Sequence, residues 1–184
     1  MNSPGRFVDE HTVRFERELP CSIETAWSYL TQAGRLVTWL AEGTIEPRVG
    51  GKVTLSFDLE EVPERKNGGA LIEGVVTLCV PDRVLAYTWT DPEMPVSDED
   101  SDSAVTFELE PLGQHTKLTL THRHLPQKEL ARCAAGWHTH LEVLAARIQN
   151  RQRESFVETW KRLLPSYEKQ AVVALTPSRS NLTH

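Results

Sequence analysis

The chain has 184 residues, enough for one domain with an appendage and a core that needs no disulfide or metal staple. A net charge of −6 and a pI near 5.7 argue against a nucleic-acid partner, because phosphate binding needs concentrated basic charge. Cys21, Cys79 and Cys133 lack C-x-x-C spacing, and no apolar run reaches signal-peptide or membrane-spanning form, so a cytoplasmic protein without membrane insertion is expected.

"HTVRFERELP" (11–20) reads as a first strand, with Val13 and Phe15 on one face and charges between. Ser22 then stands where a helix cap belongs, and Glu24 lies in the first turn, where the helix dipole favours an acid. Ile23, Ala26, Trp27 and Leu30 recur at helical spacing. A second short helix, "QAGRLVTWL", is expected to turn Leu36, Val37, Trp39 and Leu40 inward.

Strands follow. Gly50-Gly51 signals a hairpin, after which Val53, Leu55, Phe57 and Leu59 alternate along one face. "GALIEGVVTLCV" (69–80) is a longer strand with less perfect alternation. The turn "PDR" leads to Leu85, Tyr87 and Trp89 on one face, and "AVTFELEP" places Val105, Phe107 and Leu109 opposite Thr106, Glu108 and Glu110. After Gly113, Leu118, Leu120, His122 and His124 are expected to share a face. Short turns and clean alternation predict an antiparallel meander with one wet face.

A long helix comes next, with Pro126 and Glu129 at its start. Leu130, Ala134, Trp137, Leu141, Leu144 and Ile148 form one stripe. A further helix over 153–169 carries Phe156, Trp160, Leu163 and Tyr167, a stripe that must dock on its own domain or on a second copy, so a homodimer stays open. "ALTPSRSNLTH" has the composition of a frayed tail. The fold class expected is α+β: a curved antiparallel sheet of several strands wrapped around the long C-terminal helix, with two short helices after the first strand.

The segments "AWSYLTQAGRLVTWL", "PRVGGKVTLSF", "VPDRVLAYTW", "VTFELEPLGQHTKLTLTH" and "GWHTHLEVL" resemble, in order and spacing, the START-like (SRPBCC) superfamily and its helix-grip fold. More narrowly they resemble the branch named after the activator of the 90-kDa heat-shock protein ATPase. The resemblance spans residues 8–150 as a START-like domain and leaves 151–184 as an additional helix and flexible tail. It implies a helix-grip sheet of about seven strands around the C-terminal helix with an apolar cavity between them, but no single function, since the superfamily holds lipid carriers, hormone receptors, polyketide cyclases and chaperone activators. The eukaryotic chaperone activators carry a chaperone-binding domain ahead of this fold, and only about ten residues precede the first strand here, so no chaperone partner is expected.

Under the helix-grip reading, core and cavity wall are the same residues. The lining is expected from Trp39, Phe57, Tyr87, Trp89, Phe107, Leu120, His122, Trp137, His140 and Leu141. Metal binding by "HTH" fails on geometry, because His138 and His140 point about 160° apart on a helix. His122 reads first as a polar residue bonded to a neighbour or to water, and second as a ligand contact or general acid/base, with Tyr87 or His140 as the only candidate partners. Gly136 is a costly choice inside a helix, either for close strand approach or for room beside His140. The acidic stretch with Asp98, Glu99, Asp100 and Asp102 reads as a solvated connection, not a calcium loop. The function expected is binding of a small hydrophobic or amphipathic molecule, with no metal, no cofactor and no catalytic residue assigned. A cyclase- or hydrolase-like enzyme using His122, or a protein-interaction module, is the alternative.

Overall fold

Alternating apolar residues set the long strands, and a computed structural model describing residues 4–58, 69–91 and 102–175 shows how they are assembled. A short strand β1 (Arg6–Asp9) hairpins into β2 (Thr12–Leu19). The sequence reading has no counterpart to β1, whose four residues are almost all exposed and show no alternation to read. Helix α1 (Ile23–Thr31) begins where Ser22 accepts a hydrogen bond from the Thr25 N–H at 3.3 Å. Helix α2 (Ala33–Leu36) is a single turn that tightens toward Leu40. It buries Leu36, Trp39 and Leu40 but leaves Val37 52% exposed, contrary to expectation. One turn of helix cannot direct adjacent residues 36 and 37 to the same side.

Strands β3 (Glu42–Ile45), β4 (Lys52–Asp58), β5 (Gly69–Val80), β6 (Val84–Thr88), β7 (Ala104–Leu112) and β8 (His115–Arg123) pair antiparallel throughout. Among the described residues the sheet has eight strands in the order β1-β2-β8-β7-β6-β5-β4-β3, one more than expected because of β1. The register of β5 against β6 shifts between Val76 and Leu78, a bulge that accounts for the imperfect alternation of this strand. The β7–β8 hairpin turns at Gly113, whose φ of +62° lies in the left-handed region that costs glycine least.

The inner face carries Val13, Phe15, Leu19, Val53, Leu55, Ile72, Leu85, Val105, Leu109 and Leu118, all buried. Helix α3 (Leu130–Ile148), entered through a 3-10 turn at Gln127–Glu129, lays Leu130, Ala134, Trp137, Leu141 and Leu144 over that face, with Ile148 partly buried at its end. This is the helix-grip fold. Helix α4 (Phe156–Leu175) packs on α3 and β1, burying Trp160 and Tyr167 and partly burying Phe156 and Leu163. The stripe therefore docks on its own chain, and the helix runs to Leu175 instead of ending near 169. Its cover explains why Ala135, His138, Thr139 and Ala146, off the α3 stripe, are also buried. Among the described residues the three cysteines are half-buried and form no disulfide. Among the described residues no helix is long and apolar enough to cross a membrane.

Candidate functional site

Alternation on β4, β6, β7 and β8 points Phe57, Tyr87, Trp89, Phe107 and His122 at the helix, and the α3 stripe points Trp137 back at them. The result is a continuous cluster of rings. Trp137 lies 5.3 Å from Trp89, 5.9 Å from Phe107, 6.0 Å from His122 and 6.2 Å from His140, centroid to centroid. Tyr87 stacks on Trp89 at 6.4 Å, Phe57 bridges Trp89 and His140, and Trp39 meets Phe107 edge-on. Leu120 and Leu141 are fully buried in the same core but join through aliphatic packing. The expected lining residues thus all lie at the sheet–helix interface.

His122 is held by two bonds that fix its proton. An indole N–H can only donate, and Trp137 Nε1 donates to His122 Nδ1 at 2.9 Å. The ring proton therefore sits on Nε2, which donates to Ser103 Oγ at 2.7 Å. Burial, with a smaller contribution from His124, pulls the His122 pKa down to about 3, so the ring is neutral. A histidine in this state cannot take a proton from Ser103. The pair has the spacing of a nucleophile and base with the opposite polarity. Ser103 was outside the expected site, and nothing but its proximity to β7 signals it. His124 is not on the His122 face: β8 ends at Arg123, and His124 turns away with φ of +57°.

His140 donates from Nδ1 to the Trp39 carbonyl at 2.9 Å, which makes Nε2 the acceptor nitrogen of the ring. Burial lowers its pKa to about 4, the Trp39 bond opposing and Arg153 assisting. Phe156 of α4, expected only on the α4 stripe, lies 4.7 Å from the His140 ring, centroid to centroid. Tyr87 is fully buried, and its hydroxyl has no hydrogen-bond partner among the described residues. Burial raises its pKa, so the phenol stays protonated. A β-carbon built on Gly136 meets nothing within 4 Å, which rules out close strand approach as the reason for that glycine.

On the other side of α3 lies a separate polar group. His138 Nδ1 is 2.8 Å from the Tyr167 hydroxyl, which accepts the Gly5 N–H at 2.8 Å, and His138 Nε2 is 3.4 Å from Glu142. Burial, then Arg17 and Arg162, lowers the His138 pKa to about 4. Arg17 itself is 1% exposed and shares the inward face with Val13, Phe15 and Leu19. The period-two rule already placed it there, although β2 was read as carrying its charges outward. His138 and His140 thus engage partners on opposite flanks of α3. Among the described residues no three His, Cys, Asp or Glu side chains converge as a metal site. Charged clefts lie elsewhere, one of about 280 Å³ between α3 and α4 beside Glu142, Arg151, Arg153 and Arg162, and one of about 330 Å³ at the β1–β2 edge beside His11, Arg14 and His124. Asp98, Glu99, Asp100 and Leu59 lie outside the described residues.

What the interface offers chemically is aromatic and aliphatic surface with neutral donors and acceptors. Residues 20–149 match the family described as Activator of Hsp90 ATPase homolog 1-like protein. Among solved structures, the solution structure of the protein encoded by gene BPP1335 from Bordetella parapertussis is similar at a TM-score of 0.73 and 28% identity, over 100% of this chain and 96% of that one. The crystal structure of CalU16 from Micromonospora echinospora is similar at a TM-score of 0.67 and 19% identity, over 94% and 98% of the two chains. Protein CV1439 from Chromobacterium violaceum gives 0.62 and 22%, over 76% and 97%. The last two likenesses speak to fold alone. A comparison with curated proteins finds no match.

Proposed function

We propose that this chain, which belongs to the Activator of Hsp90 ATPase homolog 1-like family, binds a small apolar or amphipathic molecule between its sheet and α3. The observation that carries the reading is Gly136. A glycine in mid-helix costs about 1 kcal/mol against alanine, and the usual compensation is a backbone packed too close for a β-carbon. Here the added β-carbon meets nothing within 4 Å, one turn before His140 and next to Trp137. Gly136 is half-buried, so the space left open lies where the interface borders solvent, at the mouth a ligand would use. The surroundings agree: rings and aliphatic side chains with a few fixed polar atoms are the usual wall of a small-molecule site. An acid–base role for His122 has less support, since it requires breaking the Trp137 bond that places the proton on Nε2.

The test uses N-phenyl-1-naphthylamine, an uncharged probe whose fluorescence rises in apolar surroundings. Wild type and Gly136→Ala should both bind it, and Gly136→Ala should gain about 1 kcal/mol of stability from helix propensity. Gly136→Phe should fill the space and weaken the probe at least about 10-fold while circular dichroism stays native-like. Absence of binding to wild type, or equal binding to Gly136→Phe, would overturn the proposal.

A further inference from the structure

We infer that the molecule held at this interface is uncharged and gives a carbonyl-type acceptor on a flat, unsaturated skeleton to the Tyr87 hydroxyl, an inference that rests on the binding reading above. The starting point is a contrast between two buried tyrosines. The Tyr167 hydroxyl, 1% exposed, is engaged by the Gly5 N–H and by His138, each at 2.8 Å. The Tyr87 hydroxyl, 0% exposed, has no partner among the described residues. More than nine in ten buried polar groups are paired, because an unpaired one carries its full desolvation cost. A phenylalanine would fill the Tyr87 position without that cost. The hydroxyl is thus a donor kept ready for an acceptor that the fold itself does not supply.

Shape and charge follow from the neighbours. Trp89 lies at 20° to Tyr87 and Phe107 at 33° to it, so the rings beside the hydroxyl are close to parallel and a flat skeleton could extend their stack. Faces favour a planar unsaturated partner, through offset stacking. Among the described residues no charged side chain is part of the ring cluster, and Arg153 acts on its His140 member only as a minor influence. The burial that depresses the pKa of His122 and His140 penalises a charge on the ligand in the same way. A second polar contact is available on the helix side: His140 Nε2, linked to Tyr87 through Phe57 and Trp89, can accept from a hydroxyl or N–H of the ligand.

The experiment compares 9-fluorenone with fluorene, which share a tricyclic skeleton and differ by one carbonyl, and adds 9-fluorenone-4-carboxylate as the charged relative. Affinities are measured by calorimetry for wild type and Tyr87→Phe. Tyr87→Phe should fold at least as well as wild type, since it removes an unpaired buried hydroxyl. The preference for fluorenone over fluorene should fall about 10-fold in Tyr87→Phe, with fluorene affinity unchanged, and the carboxylate should bind weakest to wild type. The same preference in both proteins would overturn the inference and leave the binding reading standing. Carboxylate binding as tight as fluorenone would overturn the assignment of an uncharged ligand. Failure of fluorenone and fluorene alike to bind wild type would remove the binding reading, and this inference with it.

Discussion

Trp137→Phe isolates the one hydrogen bond that sets the state of His122. The substitution keeps a six-membered ring among Trp89, Phe107 and His140 but deletes the N–H that donates to His122 Nδ1 at 2.9 Å. His122 is 1% exposed, so the freed acceptor has no water to turn to. Leaving a buried acceptor unpaired costs about 1–3 kcal/mol. Loss of half the indole surface adds a fraction of the roughly 3–5 kcal/mol expected for complete truncation of a buried Trp to Ala. A total of about 2–4 kcal/mol follows from these principles. For a chain of this size it should lower Tm by roughly 4–16 °C. Urea unfolding measures the cost, and a cycle with His122→Leu should return a coupling of about 1–2 kcal/mol. Nitrogen-15 NMR of the wild-type ring at pH 7 should show protonated Nε2 and unprotonated Nδ1, and Trp137→Phe should redistribute that proton. A cost below about 0.5 kcal/mol, or a wild-type ring protonated on Nδ1, would refute the network as described.

Acid should destabilise the fold through its buried histidines. His122, His138 and His140 have folded pKa values of about 3, about 4 and about 4, below the roughly 6.5 of an unfolded histidine. Between those values the unfolded chain binds more protons, so stability is complete above pH 7 and falls as pH drops through 6.5 toward 4. Each of the three should lose about 2 kcal/mol between pH 7 and pH 5, and a urea midpoint that stays flat over that interval would contradict their neutral burial. Tyr167→Phe should cost about 2–4 kcal/mol, because it unpairs the Gly5 N–H and His138 Nδ1 together. Hydrogen exchange at β1 should then quicken, and unchanged protection there would show that the hydroxyl does not hold this strand.

Local periodicity made most of the fold readable. Val105, Phe107 and Leu109 alternate with Thr106, Glu108 and Glu110, and a strand with period two has no other way to hide the first set. The 130–148 stripe matched the sheet in length, so the helix that fills the grip was visible before any contact was known. The residues that meet at the sheet–helix interface were visible for the same reason, since inward positions of strands and of the covering helix must meet. Where an element is too short for a period to develop, the reading failed: β1 was missed, and Val37 was turned the wrong way.

Chemistry at the interface was decided by tertiary structure. Which nitrogen of His122 holds the proton depends on Trp137 and Ser103, respectively 15 and 19 positions away in the chain. No spacing rule encodes that, because a hydrogen bond between elements is set by how strand and helix are placed in three dimensions. The same holds for the two tyrosines. As letters Tyr87 and Tyr167 are equivalent, each on an inward stripe; only the packed fold gives Tyr167 two partners and Tyr87 none. Burial pattern is a property of each element and is written locally. The pairing of buried polar atoms is a property of how the elements meet.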